Sequence, residues 1–280
     1  MSLLVDACYG REISRTPVWL MGQAGRYLPE YMKIRRQHGF HAMMSQPDLI
    51  TEITLQPIQR YNMDAAILYS DILVIPEAMG IHFRLVPGTG PVFENPVKRT
   101  NNIMKLKPPS QRKLFHVLKG VHQVRKELSP DKALIGFAGA PWTIATYMVE
   151  GKPSKDYRYI RSLAHTEPEA FHYLMEVLTE GIIYFVTEQV KAGADVIQIF
   201  DTNAGFISRD FFETNSLPYL KRIVDAVKKT GAPIVLFLKG GNWFDIFKDL
   251  GVEVVGIDWN LPLGEVRKIM GEDFSIQGNL

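Results

Sequence analysis

Residues 166–200 have the sequence TEPEAFHYLMEVLTEGIIYFVTEQVKAGADVIQIF, in which a long helical pattern leads into a short, mostly apolar run. Thr166 and the Glu-Pro-Glu that follows it are typical of a helix start. Residues 196–200 carry no charge and are rich in Ile, Val and Phe, as expected of a strand buried on both faces. A helix followed by a buried strand is the repeating unit of a parallel α/β sheet.

The same alternation recurs along the whole chain. Similar strand patterns lie at residues 18–21, 65–69, 133–137, 234–238, 252–257 and 274–276. Helical stretches separate them, and the SQPD sequence at residues 45–48 gives a second helix start. Parallel strands joined by helices cross over in the right-handed sense, so the sequence predicts a parallel sheet. No glycine-rich dinucleotide fingerprint follows the first run, which favours a (β/α)8 TIM-type barrel over an open doubly wound sheet.

No linker divides the chain, because its richest Pro/Gly stretch, residues 87–96, is short. We therefore expect a single barrel domain over residues 1–280. A barrel of this class closes through eight strands, and the sequence offers seven runs. The expected barrel thus lacks its last strand and helix at its C-terminal end. Either the sequence is a fragment, or a short or partner-supplied element covers the gap.

Composition and charge disfavour several classes of function. The 32 basic and 30 acidic side chains nearly balance, at a formal net charge of +2, so nucleic acid is not an expected partner. Cys8 is the only cysteine, which rules out an intrachain disulfide and favours a reducing, cytoplasmic setting. No apolar run is long enough to span a membrane, and the first residues lack the pattern of a secretory leader. The seven histidines show no ligand-like spacing, so no metal is expected.

Polar residues follow most of the strand patterns, where barrel enzymes carry their reacting groups. Asp71 lies in an apolar setting and needs hydrogen-bond donors, so it is either a structural acid paired with an Arg or backbone N–H groups, or a functional acid. Arg26 suits bidentate carboxylate recognition, although Tyr27 and Glu30 are structural partners within reach. Capping or loop bonding is the favoured interpretation for four residues taken singly: Thr202, Asn203, Asp258 and Asn279.

Several segments together resemble the uroporphyrinogen decarboxylase family. The first, PVWLMGQAGRYLPEY at residues 17–31, is similar to the N-terminal signature of that family. The others follow in order: DAAILYSDILVIPEAMG at 64–80, VPGTGP at 86–91, GFAGAPWTIATYMVEG at 136–151, FDTNAG at 200–205, VVGIDW at 254–259 and QGNL at 277–280. Because QAGRYLPEY and GFAGAPWT are too long to match by chance, the sequence is identified as a member of the family.

The resemblance implies a single (β/α)8 barrel, usually a homodimer. It also implies an activity, which removes carbon dioxide from the four acetate side chains of uroporphyrinogen III and leaves coproporphyrinogen III. No cofactor is implied, because a pyrrole ring protonated at its α-carbon is itself an electron sink. The protein then supplies placement and charge.

The resemblance also assigns roles to individual residues. Asp71 is expected to bind the central pyrrole N–H groups and to favour the cationic ring, and Tyr147 to lie beside the reacting acetate. Arg26 and Arg35 are expected to hold substrate carboxylates, and Thr202 to bind a carboxylate through its hydroxyl. Three residues of the signature are also expected at the substrate-binding site: Gln23, Ala24 and Gly25.

Two departures from the family pattern bear on activity. The family has Arg immediately before QAGRYLPE, proposed as a proton donor or carboxylate clamp, where this chain has Gly22. Losing one such preorganised charged group typically costs about 10²–10³ in rate. The family pattern also continues beyond QGNL into a last strand whose His contributes to the site, and no residue of this sequence matches it.

Three functions follow as hypotheses. The first is decarboxylation of uroporphyrinogen by a site-altered or shortened family member. The second is tetrapyrrole binding without turnover, with Asp71 and Arg26 retained. The third, a corrinoid-dependent methyltransferase of the same superfamily, needs a zinc site of His and Cys ligands, which Cys8 as the only cysteine does not favour.

Overall fold

The structure is a computed structural model that describes residues 2–278. In that range the strands are β1 (Ala65–Ile67), β2 (Phe83–Val86), β3 (Gly90–Phe93), β4 (Ala133–Gly139), β5 (Val196–Asp201), β6 (Ile234–Leu238), β7 (Val254–Gly256) and β8 (Ser275–Gln277). The helices are α1 (Leu3–Cys8), α2 (Pro29–Ser45), α3 (Pro47–Tyr61), α4 (Val74–Ala78), α5 (Thr100–Ile103), α6 (Gln111–Glu127), α7 (Pro141–Glu150), α8 (Arg158–Thr166), α9 (Pro168–Ala192), α10 (Arg209–Asn215), α11 (Leu217–Lys228), α12 (Phe244–Leu250) and α13 (Leu263–Met270), with a 3-10 turn at Ala204–Phe206. Asn279, named above as a strand-end residue, lies outside the described residues.

Six of these strands form one parallel sheet in the order β1-β4-β5-β6-β7-β8. Its central register pairs Ile135 of β4 with Val196 of β5, and Ile197 of β5 with Ile234 of β6. Every residue of β4 and β5 is buried, with helices such as α9 packed on the outer face. The predicted parallel α/β class is confirmed, and the sheet curls into half a barrel.

Six of the seven predicted strand runs lie in this sheet. Their bounds agree at residues 234–238 and differ by one or two residues elsewhere. Both predicted helix starts are also confirmed, because α3 begins at Pro47 and α9 at Pro168. Proline suits the first helical position, where its missing N–H would have no intrahelical partner.

The predicted strand at residues 18–21 is wrong. The segment lies beside β1, and Asp64 N donates to Val18 O at 3.0 Å, as a neighbouring strand would. A parallel ladder would continue with a bond from Leu20 N to Asp64 O, but Leu20 N donates to Gln23 Oε1 at 3.1 Å. Val18 N donates to the Asp64 side chain, Oδ2 at 2.7 Å. The same carboxylate accepts two bonds from Arg15, at 2.6 and 2.7 Å. A side chain therefore anchors this segment in place of strand pairing.

The two end strands of the sheet, β1 and β8, are not paired with each other in the part of the chain that the structure describes. The segment around Val18 runs between them and touches both. Its Val18 backbone bonds to Asp64 before β1, and the indole N–H of Trp19 donates to Gln277 Oε1 of β8 at 3.1 Å. The gap expected between the first and last strands of the sheet is therefore present in the described range.

An antiparallel hairpin of β2 and β3 was not predicted. It pairs Phe83 with Phe93 and packs against the end of α7. Phe93 N donates to Gly151 O at 2.7 Å, and a Cβ at Gly151 would come within 2.4 Å of Pro96. Gly151 also has φ +81°, so two constraints require glycine there. The base of the hairpin is thereby held against the C-terminal end of α7.

Candidate active site

Two cavities adjoin at the carboxyl ends of the sheet strands. The first, called here the Asp71 cavity, has a volume of about 300 Å³, and its lining includes Ala24, Tyr69, Asp71, Phe137 and Thr202. The second, called the Trp259 cavity, has a volume of about 350 Å³, and its lining includes Gly22, Gln198, Phe237, Asp258 and Trp259. Met21 and Phe200 line both cavities, so the two are neighbours.

Asp71 lies in the turn between β1 and α4. Its Oδ1 accepts a hydrogen bond from Leu73 N at 2.8 Å. Burial raises the pKa of the Asp71 carboxyl, the bond from Leu73 opposes that rise, and the charge of Glu77 adds to it. Of the structural partners expected for Asp71, the structure provides one backbone N–H. No Arg within residues 2–278 pairs with the carboxyl. The carboxyl therefore keeps acceptor capacity for a ligand.

Two tyrosines lie within electrostatic range of this acid. Burial raises the pKa of Tyr147, and the negative charge of Asp71 raises it further. Burial also raises the pKa of Tyr69, as do its 3.0 Å hydrogen bond with Tyr31 and the charge of Asp71, whereas the charge of Arg35 lowers it. Both phenols are therefore protonated near neutral pH. Tyr69 lines the Asp71 cavity, and Tyr147 is near it on α7 without being part of its lining.

Arg26 and Arg35 lie together beside the tip of the β2–β3 hairpin. They share a groove of about 610 Å³ with Pro87 and Thr89. Neither guanidinium has a hydrogen bond or salt bridge to another residue in the described range 2–278. Two uncompensated cations in one groove form a site for an anion such as a carboxylate.

The structural partners considered for Arg26 are committed elsewhere. Both carboxylate oxygens of Glu30 accept bonds from Arg60, at 2.8 and 2.9 Å. Tyr27 stacks on Tyr61 with ring centroids 6.4 Å apart. The interpretation of Arg26 as a structural residue is therefore wrong. Its other interpretation, recognition of a carboxylate, stays a prediction.

Thr202 lines the Asp71 cavity, and hydrogen bonds fix the residues before and after it, Asp201 and Asn203. Asp201 Oδ1 accepts a bond from Thr143 Oγ1 at 2.5 Å, and Asn203 N donates to the same hydroxyl oxygen at 3.1 Å. Loop bonding by Asn203 is thus confirmed. The hydroxyl of Thr202 makes no hydrogen bond within the described range, so capping does not account for it.

A buried polar network extends from this point. Asn203 Nδ2 donates to Thr146 Oγ1 at 2.7 Å, and the hydroxyl of Tyr157 donates to Asn203 Oδ1 at 3.0 Å. Asp201 is fully buried, and its Oδ2 has no partner among residues 2–278. Burial raises the pKa of Asp201 to about 7, although the hydroxyl of Thr143 opposes the rise. This carboxyl therefore holds its proton to a higher pH than an exposed aspartate does.

The structure separates the three signature residues predicted to bind substrate. Ala24 lines the Asp71 cavity, whereas Gln23 and Gly25 line neither cavity described above. The amide of Gln23 bridges backbone groups, accepting from Leu20 N at 3.1 Å and donating to Ala65 O at 3.0 Å. Gln23 thus stabilises the segment before α2, and its contact with substrate stays a prediction.

Gly22 lines the Trp259 cavity at the altered family position. A Cβ built on Gly22 meets no atom within 4 Å, and its φ lies outside the left-handed region. The backbone at this position therefore accepts a side chain without strain, and the cavity has room for one.

Tyr69 and Gln198 were not predicted as site residues, because both lie in apolar runs that predict buried strands. A signal existed in each case: Tyr69 ends its run directly before the polar Ser70 and Asp71, and Gln198 is the single polar residue among residues 196–200. The loop-bonding interpretation of Asp258 is confirmed, since its two oxygens accept from backbone N–H groups at 2.7 and 2.9 Å.

Residues 2–278 contain neither a candidate metal site nor a candidate membrane-spanning helix. No group of three His, Cys, Asp or Glu side chains in this range is arranged to hold a metal ion. No helix in the same range is both long and apolar enough to cross a membrane.

The fold and site define an α/β protein of the TIM-barrel type, with an acid in a cavity at its strand ends and a separate groove that contains two arginines. A model of the family described as "Uroporphyrinogen decarboxylase (URO-D)" matches residues 1–280. The chain belongs to the uroporphyrinogen decarboxylase family, whose named members are carboxy-lyases.

Curated relatives agree with this assignment. The chain is 43% identical over 284 residues to the uroporphyrinogen decarboxylase of Alkalilimnicola ehrlichii, covering 99% of this chain and 78% of that relative. It is 43% identical over 278 residues to that of Trichlorobacter lovleyi, covering 99% and 81%. It is also 43% identical over 284 residues to that of Legionella pneumophila strain Paris, covering 100% and 81%. About a fifth of each relative is thus unmatched.

Solved structures with low sequence identity share the fold. A methyltransferase from Methanosarcina mazei has a TM-score of 0.81 at 20% identity, over 99% of this chain and 81% of that one. A B12-independent methionine synthase from a Shewanella species has a TM-score of 0.56 at 12% identity, over 82% and 68%. At these identities the likeness extends to the fold alone.

Proposed function

We propose that this chain removes carbon dioxide from the four acetate arms of uroporphyrinogen III and releases coproporphyrinogen III, without a cofactor. The observation that carries the proposal is the placement of Asp71 in a cavity at the strand ends, beside a groove that holds two unpaired guanidiniums. An acid that accepts N–H bonds and cations that bind carboxylates are the two recognition groups that a polycarboxylated tetrapyrrole requires.

The proposed chemistry proceeds in four steps at each arm. A proton is added to the α-carbon of the pyrrole, which makes the ring cationic. The bond between the acetate methylene and its carboxylate then breaks, its electron pair enters the ring, and carbon dioxide leaves. A second proton adds to the exocyclic methylene to give a methyl group. Loss of the α-carbon proton restores the pyrrole, so each turn consumes one proton in total.

The residues near the Asp71 cavity suit this sequence. Asp71, as a carboxylate, accepts the pyrrole N–H groups and stabilises the cationic ring, and that positive charge in turn favours its ionised form. Tyr147 and Thr202 offer hydroxyl donors to the reacting arm. Arg26 and Arg35 bind carboxylates on arms that reach towards the hairpin.

A second candidate function is tetrapyrrole binding without efficient turnover. The open space around Gly22 favours it, because the family pattern places a charged Arg there and this chain leaves the position empty. Asp71 and the arginine groove would then bind the ligand, while the step that needs a proton donor or carboxylate clamp is slow.

Anaerobic incubation with uroporphyrinogen III separates the two functions. Products are oxidised to porphyrins and their remaining carboxylates are counted. Stepwise loss from eight carboxylates to four supports the decarboxylase. Tight binding with all eight retained supports the binding protein, and a chain that neither binds nor decarboxylates overturns both.

We further propose a cytoplasmic homodimer with one barrel domain. The single cysteine, Cys8, is a free buried thiol, which supports a reducing compartment. Exposed Met21 and Trp259 at the cavity mouth support an association surface there. One continuous hydrophobic cluster runs from Leu4 to Met270, which supports a single domain. Sedimentation velocity tests the dimer, and a monomer at micromolar concentration contradicts it.

A further inference from the structure

A chain of hydrogen bonds crosses the wall of the Trp259 cavity. The indole N–H of Trp19 donates to Gln277 Oε1 at 3.1 Å, and Gln277 Nε2 donates to Gln198 Oε1 at 3.0 Å. Gln198 is fully buried, and its own Nε2 has no partner among residues 2–278. The chain of donors therefore ends in an unused N–H pair at a residue that lines the cavity.

The orientation of both amides follows from Trp19. An indole N–H is only a donor, so the amide of Gln277 must present its oxygen to Trp19 and its nitrogen to Gln198. Gln198 must then present its oxygen to Gln277, which leaves its nitrogen as the free end. Successive donors polarise one another, so this terminal N–H is a stronger donor than an isolated amide.

The surroundings of Gln198 favour an anionic acceptor. An unpaired buried donor is energetically unfavourable, and a bound acceptor removes that cost. Lys239 places its ammonium 5.1 Å from the ring centroid of Trp259, which supplies positive charge at the edge of the cavity. The acid in the lining, Asp258, has both oxygens engaged by backbone N–H groups, from Gly240 and Asn260.

We propose that the Trp259 cavity is a carboxylate-arm subsite, in which Gln198 Nε2 donates to a propionate of the tetrapyrrole while an acetate reacts in the neighbouring Asp71 cavity. This inference rests on the proposed function. Propionates suit a fixed subsite because they are present in the substrate, in every intermediate and in the product, whereas each acetate is lost in turn. The shared lining by Met21 and Phe200 allows one macrocycle to extend across both cavities.

Coproporphyrinogen is the probe, because it carries propionates and has no acetate left to react. Its binding is measured by anaerobic equilibrium dialysis and quantified after oxidation to the porphyrin. Gln198→Met removes the donor without adding charge. Gln277→Glu leaves Gln198 itself unchanged. The carboxylate at position 277 accepts from both Trp19 and Gln198, so the Gln198 amide must turn its oxygen to the cavity. Gln56→Met is the matched control, because Gln56 is buried with an unpartnered amide and lines neither cavity.

Gln198→Met and Gln277→Glu are each expected to weaken binding roughly tenfold or more, as for loss of a hydrogen bond to a charged group, while Gln56→Met binds as the wild type does. Wild-type affinity in a folded Gln198→Met variant overturns the subsite. If that variant does not fold, wild-type affinity in Gln277→Glu overturns it instead. The proposed function fails separately, when the unaltered chain neither binds nor decarboxylates uroporphyrinogen.

Discussion

The hydroxyl of Thr143 donates a 2.5 Å hydrogen bond to the carboxyl of Asp201 and so ties the first turn of α7 to the last residue of β5. Tyr147 lies one turn further along α7, and Thr202 follows Asp201 directly. The tie therefore fixes two of the residues proposed to contact the reacting arm relative to one another. Because the bond is buried, solvent does not replace it when it is lost.

Removing the Thr143 hydroxyl should lower kcat more than it changes KM. Thr143→Val keeps the shape of the side chain but deprives Asp201 of its donor and Asn203 N of its acceptor. We expect about a tenfold loss of kcat and a loss of about 1–3 kcal/mol in the free energy of unfolding. Thr143→Ser, which retains the hydroxyl, should restore both. A Val variant with the kcat of the wild type would show that the tie does not position the site.

Stability should depend on pH through Asp201. Its pKa is about 7 in the folded chain, against an ordinary value of 3.8, because burial disfavours the ionised form. The contribution of protonated Asp201 to stability is therefore fully present below about pH 4, and it is lost as the pH rises towards 7. Asp201→Asn keeps an oxygen for Thr143 and cannot ionise. Its advantage over the wild type should grow by about 1.4 kcal/mol per pH unit over this window and then level off.

The measurement is denaturant unfolding of both proteins between pH 4 and 8. Other ionisable groups are common to the two chains and cancel in the difference. A difference in unfolding free energy that is constant across this range would mean that Asp201 is ionised throughout, and that its burial is compensated.

Restoring a charged side chain at position 22 should raise the rate. Gly22→Arg places a guanidinium in open space at the cavity, so the fold should tolerate it. We expect a gain of about 10²–10³ in kcat/KM for uroporphyrinogen, the usual worth of one preorganised charged group. Gly22→Met is the control for size without charge and should give no such gain. Equal rates for the Arg and Met variants would exclude charge at this position as the missing factor.

The arginine groove should set affinity for the substrate. Arg26→Met removes one of two unpaired guanidiniums and should raise KM about tenfold, with a smaller effect in high salt because exposed charges are screened. Arg36→Met is the matched control, since Arg36 is exposed on α2 directly after Arg35 and lines none of the cavities described. If both variants raise KM equally, the effect is one of general charge and the groove is not specific.

The repeating order of helix and buried strand was predictable because burial on both faces produces uninterrupted apolar runs, as at residues 234–238. The strand expected at residues 18–21 failed for a physical reason. Its N–H at Val18 is taken by the Asp64 side chain, and a contact between side chain and backbone across more than forty residues leaves no trace in local periodicity.

The candidate site was predictable in part. Asp71 and Arg26 stood out because a charged group beside apolar residues or at a strand end needs a partner, and the resemblance added Tyr147, Arg35 and Thr202. Gln198 was not predictable, since a single amide in an apolar strand has no pattern of its own. Only the bonds from Trp19 and Gln277 show that its nitrogen is unused.

Release of carbon dioxide from uroporphyrinogen by the wild type and by Asp71→Asn tests the central claim most directly. Asn keeps the shape of the side chain and the oxygen that accepts from Leu73 N, but it carries no charge to stabilise the cationic ring. The account predicts four molecules of carbon dioxide per tetrapyrrole from the wild type, and a rate about 10²-fold lower in the variant. Equal rates in the two proteins would contradict it.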